Sequence, residues 1–131
     1  MSTEIERIVT KDAAAPAAHY SQAVRSGDHV WTAGTVGTDP ATGEIVGGFE
    51  AQVHMAIRNV QAALRAAGTD LEHVVKSNCY VTRQEDFGKL DPVYRQYFPD
   101  PPGRTTVVCD LVKPELLFEI EVVARIPDNG G

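Results

Sequence analysis

The strongest folding signal in the chain is an amphipathic helix pattern over Phe49–Ala67. Apolar side chains recur there every three or four positions, the spacing that gathers them on one face of an α-helix. Gly68 follows directly, and glycine is the residue that most often ends a helix. Such a helix must cover an apolar surface from the rest of the chain. Four polar residues are predicted to face water: Gln52, Arg58, Asn59 and Arg65.

Short apolar runs separated by glycine, proline and aspartate predict the other elements. We expect a second helix at residues 85–98, and strands at residues 4–9, 20–25, 29–33, 75–82, 104–112 and 116–126. Asp91 precedes Pro92, which predicts an N-cap there and a break or restart of the second helix. The order βββαβαββ indicates an α+β fold, with a single mixed β-sheet and two helices packed on one face. With 131 residues, the chain is predicted to be a single domain over 1–131.

The last two predicted strands alternate in character, so each has two distinct faces. The faces predicted to point into the core carry Thr105, Val107, Cys109 and Leu111 in one strand, and Leu116, Phe118, Ile120, Val122 and Ala124 in the other. The opposite faces carry Arg104, Thr106, Val108 and Asp110, and Leu117, Glu119, Glu121, Val123 and Arg125. Because the second set is only half polar, we expect it to form a subunit interface.

Arg104 and Glu119 lie on this predicted interface face. They are either a solvated or interfacial ion pair, or part of a small-anion site in which the guanidinium holds a carboxylate. If the two strands formed a direct hairpin, Glu119 would lie roughly 16 Å from the level of Arg104. Either the strands are not paired in this way, or a shared site spans two chains. Tyr20 follows a segment rich in alanine and proline, and either leans over a cleft or packs against a loop.

Composition and charge exclude several classes of protein. The net charge of −6 argues against a protein that binds a nucleic-acid backbone. The four histidines are scattered, and Cys79 and Cys109 form no CxxC motif, so we expect two buried free thiols and no metal site. No apolar run approaches the ~20 residues of a membrane span, and the N-terminal segment is polar. These features predict a soluble, cytoplasmic protein.

Six segments in a fixed order resemble the Rid family of reactive intermediate deaminases, also called the YjgF or L-PSP family. They are HYSQAV (19–24), WTAGTVGTDPATGEI (31–45), NVQAALRAAG (59–68), VVKSNCYVT (74–82), PPGRTTV (101–107) and FEIEVVA (118–124). The resemblance covers nearly the whole chain. It implies a chorismate-mutase-like α+β fold and a homotrimer with clefts between its subunits.

The resemblance also implies a reaction and its residues. Several members of this family hydrolyse 2-imino or 2-enamino acids, formed by pyridoxal-phosphate dehydratases, to 2-keto acids and ammonia. Arg104 matches the arginine that binds the substrate carboxylate, and Glu119 the glutamate that positions the attacking water. Tyr20 and Gly34 match residues that line the cleft. No metal or other cofactor is implied. Three further cleft positions differ from the common pattern: Ala33 replaces a serine, Asp91 an asparagine and Thr106 a cysteine.

Three alternatives remain open from the sequence. The chain is either a deaminase of small imino acids, a pathway-specific deaminase of a larger enamine, or a non-catalytic trimer that binds small carboxylates through Arg104. A ribonuclease activity is reported for some relatives, but the acidic composition and the lack of a basic, aromatic stripe argue against a nucleic-acid partner.

Overall fold

The computed structural model describes residues 4–128 and contains one sheet and two α-helices. The helices are α1 (Phe49–Ala67) and α2 (Phe87–Tyr97). The strands are β1 (Ile5–Ile8), β2 (Ala23–Ser26), β3 (His29–Thr32), β4 (Thr35–Val36), β5 (Val74–Val81), β6 (Gly103–Val108) and β7 (Phe118–Arg125). The predicted α+β fold and its order are confirmed, and the two-residue strand β4 was not predicted. Residues 1–3 of the polar N-terminal segment lie outside the described residues, as do residues 129–131 of the predicted domain.

The sheet is mixed, as predicted. Its strand order is β1-β2-β3-β7-β5-β6, and β4 pairs with β7 beyond the end of β3. Strands β5 and β6 are parallel, and the other pairs are antiparallel. Because β5 lies between β6 and β7, the last two strands form no direct hairpin. Strand β6 is therefore an edge strand, and its residues are two strands away from those of β7.

The core lies between α1 and the face of the sheet that the helices cover. One side of α1 is buried against alternate residues of β7, and the predicted inward face of that strand is confirmed. Each large aliphatic or aromatic side chain buried in this way contributes about 1.5–3 kcal/mol to folding. Gly68 ends α1 in the left-handed conformation, as expected. The buried side chains of this layer are Val53, Ile57, Val60 and Leu64 from α1, and Phe118, Ile120, Val122 and Ala124 from β7.

The prediction for the two faces of β6 is wrong. Arg104 pairs with the buried Ser77 of β5, and its guanidinium lies over the ring of Tyr94 in α2. Arg104 and Thr106 are therefore on the helix side of the sheet. Thr105 and Val107 are on the opposite side, which the helices leave uncovered, and both are exposed. An edge strand with mixed residues on both faces carries little information about which face is buried.

The prediction that Gln52 and Asn59 face water is also wrong, since both are buried. The Gln52 amide donates to the carbonyl oxygens of Val46 and Glu115, and its oxygen accepts from the backbone of Leu117. The Asn59 amide donates to the carbonyl oxygens of Val36 and Thr38 and accepts from Ala14. Buried amides of this kind replace the backbone partners that irregular loops lack.

Helix α2 continues through Pro92. The predicted N-cap at Asp91 is wrong because Asp91 lies inside this helix, and its side chain binds Arg104 instead. A 3-10 turn at Gln84–Asp86 leads into α2, close to the predicted start.

No helix within residues 4–128 combines the length and the apolar character needed to cross a membrane.

Candidate functional site

Arg104 is the centre of a charged cluster at the β6 edge of the sheet, on the helix side. Its Nη1 lies 2.8 Å from Oδ1 of Asp91, and its guanidinium carbon lies 4.7 Å from the centre of the Tyr94 ring. The Arg104 side chain is only 19% exposed, whereas that of Asp91 is 54% exposed. The ion pair and the ring together fix the guanidinium.

The side chains buried beneath Arg104 are uncharged and hydrogen-bonded to each other. The hydroxyls of Tyr94 and Ser77 lie 2.7 Å apart in the buried layer beneath Arg104. Burial raises the pKa of the Cys79 thiol to about 11, despite the positive charge of Arg104 nearby. Thr106 pairs with Cys79 in register and shares the face of Arg104. We call Arg104, Asp91, Tyr94, Ser77 and Thr106 the Arg104 cluster.

Glu119 lies on the opposite, uncovered side of the sheet, at the point where β3 gives way to β4. The chain bulges at Ala33 and Gly34, and Gly34 brings its backbone against the Glu119 carboxylate. An added Cβ at Gly34 would collide with Oε2 of Glu119. The hydroxyl of Thr32 accepts from the backbone N–H of Val122, so a side chain at the bulge satisfies this donor. Because Gly34 has no side chain, the Glu119 carboxylate can lie directly against the backbone at this position.

The Glu119 carboxylate takes no hydrogen bond from any residue within 4–128. Burial raises the pKa of Glu119, and the negative charge of Glu121 on the same face raises it further. Glu121 in turn accepts a 2.8 Å hydrogen bond from the hydroxyl of Tyr80, which raises the pKa of Tyr80 to about 12. A partly buried carboxylate without a donor is prepared to bind water or a substrate proton. We call Glu119, Gly34, Glu121 and Tyr80 the Glu119 cluster.

A groove of about 640 Å³ opens on the same side of the sheet, next to the bulge. Tyr20 and Ala33 both line it. The hydroxyl of Tyr20 accepts a hydrogen bond from the backbone of Ala17, and its side chain is exposed. The remaining lining residues are Arg7, His19, Ser21, Val24, Trp31 and Thr32.

The seven predicted site residues thus fall into two groups. Arg104, Asp91 and Thr106 lie together at the edge strand, and Tyr20, Ala33, Gly34 and Glu119 lie together around the bulge. Arg104 is level with Ser77 of β5, whereas Glu119 is level with Tyr80. Two strand spacings and three residues therefore separate them, roughly 10 Å in each direction, and they point to opposite faces. One small molecule cannot contact both within a single chain.

Sequence reasoning named Asp91 but missed Tyr94, over which Arg104 lies, and Ser77, which binds Tyr94. Tyr94 and Ser77 come from α2 and β5, and only the packing of α2 on the sheet brings them together. The polar Ser77 at an inward position of β5 was the one available signal.

Residues 10–126 match the family model described as Endoribonuclease L-PSP. The chain belongs to the Rid/YjgF/L-PSP family. It is 38% identical over 121 residues to a RutC family protein of Pyrococcus horikoshii, covering 91% of this chain and 96% of that protein.

Solved structures of this family agree with the fold. The crystal structure of RidA from an Antarctic Psychrobacter is 36% identical, with a TM-score of 0.89 over 92% of this chain and 99% of that one. The crystal structure of Escherichia coli TdcF with bound serine is 30% identical, with a TM-score of 0.87 over 92% and 98% of the two chains. Within residues 4–128 of this L-PSP family member, no group of three or more side chains is placed to hold a metal ion.

Proposed function

We propose that this protein is a hydrolytic deaminase of reactive 2-imino and 2-enamino acids, acting in clefts between the subunits of a homotrimer. The observation that carries the proposal is that one chain bears both a fixed, partly buried guanidinium and a carboxylate that has a raised pKa and no hydrogen-bond donor within residues 4–128. The first group suits a substrate carboxylate, and the second suits the activation of water. The relationship to RidA supports the reaction, and bound serine in TdcF supports a ligand that carries a carboxylate.

Arg104 would hold the substrate carboxylate on its open edge and orient the C=N carbon. Glu119 would take a proton from water as the water oxygen bonds to that carbon. This step gives a tetrahedral carbinolamine, and Glu119 returns its proton to the nitrogen. The C–N bond then breaks, the carbinol O–H proton leaves with ammonia as ammonium, and the 2-keto acid remains. Starting from a protonated imine, the reaction consumes one water and releases no net proton.

The opposite placement of Arg104 and Glu119 supports a site that is shared between chains. In a closed trimer, a patch of one subunit meets a different patch of the next, so two patches that are distant within one chain can meet at every interface. The uncovered side of the sheet bears the partly apolar surface that an interface requires, with Trp31 and Val107 exposed.

The test is a coupled assay in which a threonine or serine dehydratase generates 2-iminobutanoate or 2-iminopropanoate and keto-acid release is followed. We expect the wild type to accelerate release and Arg104→Ala to lose the acceleration. Arg58→Ala, which removes the same charge from an exposed position of α1, should behave as the wild type. Equal rates with Arg104→Ala and the wild type would refute the assignment.

Mixing inactive variants tests the shared site. When Arg104→Ala and Glu119→Gln chains are unfolded and reassembled together, some interfaces receive Arg104 from one chain and Glu119 from the other. Random assembly of equal amounts makes about a quarter of such sites intact. We expect a corresponding recovery of activity, whereas a site within one chain would give none.

The groove favours a second candidate, a deaminase of a larger imino acid. The groove is open to solvent, so its lining does not limit a substrate to four carbons. The exposed rings of Tyr20 and Trp31 suit an aromatic or long aliphatic side chain. Faster hydrolysis of an aromatic imino acid than of 2-iminobutanoate in the same assay would favour this candidate.

A further inference from the structure

The ion pair between Arg104 and Asp91 leaves one edge of the guanidinium free. Only Nη1 contacts Asp91, at 2.8 Å, and neither Nε nor Nη2 has a hydrogen-bond partner within residues 4–128. Nε and Nη2 form the side edge of the planar fork, which binds a carboxylate through two parallel hydrogen bonds. The buried stack on Tyr94 prevents the guanidinium from turning freely.

Asp91 also keeps an open acceptor. Its Oδ1 binds Arg104, whereas its Oδ2 has no protein partner in the described part of the chain, and its side chain is 54% exposed. Asp91 lies inside α2, so its carboxylate is held by the helix as well as by Arg104. The wall of the site therefore presents two donors and one anionic acceptor side by side.

These charges discriminate between ligands. A plain carboxylate gains two hydrogen bonds from Arg104 but is repelled by the negative charge of Asp91, which offsets the attraction of Arg104. A carboxylate with a cationic nitrogen on the adjacent carbon gains the same bonds and a favourable interaction with Asp91. The imino acid in its protonated form has such a nitrogen, and the 2-keto acid product has none.

We propose that Asp91 is a specificity-determining residue that makes the Arg104 cluster select carboxylates bearing an adjacent cationic nitrogen, and release the keto acid formed from them. The inference rests on the proposed function for the identity of the substrate. It extends that function by assigning the discrimination between substrate and product to one ion pair. The keto acid would leave because the favourable contact with Asp91 disappears with the nitrogen.

Binding measurements with two probes of the same carbon skeleton test this role without turnover. L-2-aminobutanoate carries the adjacent ammonium, and 2-oxobutanoate replaces it with a carbonyl. We expect calorimetry to show tighter binding of the amino acid to the wild type. Asp91→Asn keeps the shape of the side chain and removes its charge. It should lower the dissociation constant of 2-oxobutanoate and raise that of L-2-aminobutanoate, each by about tenfold, so that the preference reverses.

Asp100→Asn is the matched control, because it removes the same charge from an exposed loop. It should leave both dissociation constants unchanged. A shift of both probes in the same direction in Asp91→Asn, or no shift, would overturn the proposal, and so would a wild type that binds neither probe. A reversed preference in a protein that fails the coupled deaminase assay would support the role of Asp91 and refute the deaminase.

Discussion

Arg104 and Glu119 are both partly buried charged groups, but within residues 4–128 only Arg104 has a partner of opposite charge. Its guanidinium is fixed by Asp91 and Tyr94. In the buried layer beneath it, the hydroxyls of Tyr94 and Ser77 form a hydrogen bond. The Glu119 carboxylate has a second carboxylate as its neighbour and a glycine against its oxygen. A satisfied ion pair suits recognition, whereas an unsatisfied carboxylate is costly to keep and suits chemistry. This contrast yields three predictions, each directed at one half of the site.

The largest effect is expected from Glu119→Gln, which removes the charge and keeps the shape. Turnover of imino acids should fall about 100-fold or more, because the general base is lost. The melting temperature at neutral pH should rise. The raised pKa means that the ionised carboxylate is less stable in the folded protein than in the unfolded chain. The free energy of unfolding is therefore unaffected by this group below its unfolded-state pKa. It decreases as the pH rises from that pKa through the pKa of Glu119 in the folded protein.

Melting curves of Glu119→Gln and the wild type should therefore differ at neutral pH and converge below the ordinary glutamate pKa of about 4.3. Glu44→Gln, in an exposed loop, is the control for the lost charge. A variant that melts below the wild type at neutral pH would show that Glu119 stabilises the fold instead.

Gly34→Ala should produce the next largest effect, on turnover and not on ligand affinity. The added Cβ displaces the Glu119 carboxylate, and a displacement of about 1 Å is enough to cost roughly 100-fold in rate. The Arg104 cluster is untouched, so the dissociation constant of 2-oxobutanoate should stay the same. Gly47→Ala, where an added Cβ meets nothing within 4 Å, should retain full activity. Loss of affinity in Gly34→Ala would show that the two clusters are not independent.

The smallest effect is a shift of the pH profile in Glu121→Gln. If Glu119 acts as the base, kcat/KM falls as the pH drops through its pKa. The charge of Glu121 helps to raise that pKa, so Glu121→Gln should move the acidic limb to lower pH. Burial is the larger cause and remains, so the limb should stay above the ordinary glutamate range. An unchanged profile would assign the limb to another group.

The sequence predicted the fold well where one side of an element is uniformly buried. The repeat in α1 and the alternation in β7 have this property, and their buried faces are as expected. It failed at β6, because an edge strand with Val107 exposed and Arg104 covered has no clear apolar side. It also failed at Gln52 and Asn59, because a buried amide cannot be recognised before its loop partners are known.

The sequence nominated seven candidate site residues, but it did not predict their arrangement. The motif resemblance supplied the seven positions, and the structure divides them between two faces of the sheet. Neither the bond between Asp91 and Arg104 nor the collision that excludes a side chain at Gly34 has a local signal. Both depend on contacts between elements that are distant in the chain.

The buried amides of α1 have a consequence for the dynamics of the cleft. Gln52 and Asn59 attach strand β4 at Val36 and the irregular segments around Val46 and Glu115 to the central helix. We expect these segments to unfold cooperatively with α1, although those around Val46 and Glu115 lack regular secondary structure. The backbone amides beside Glu119 should then exchange with solvent as slowly as those of the core, and not as fast as those of a surface loop.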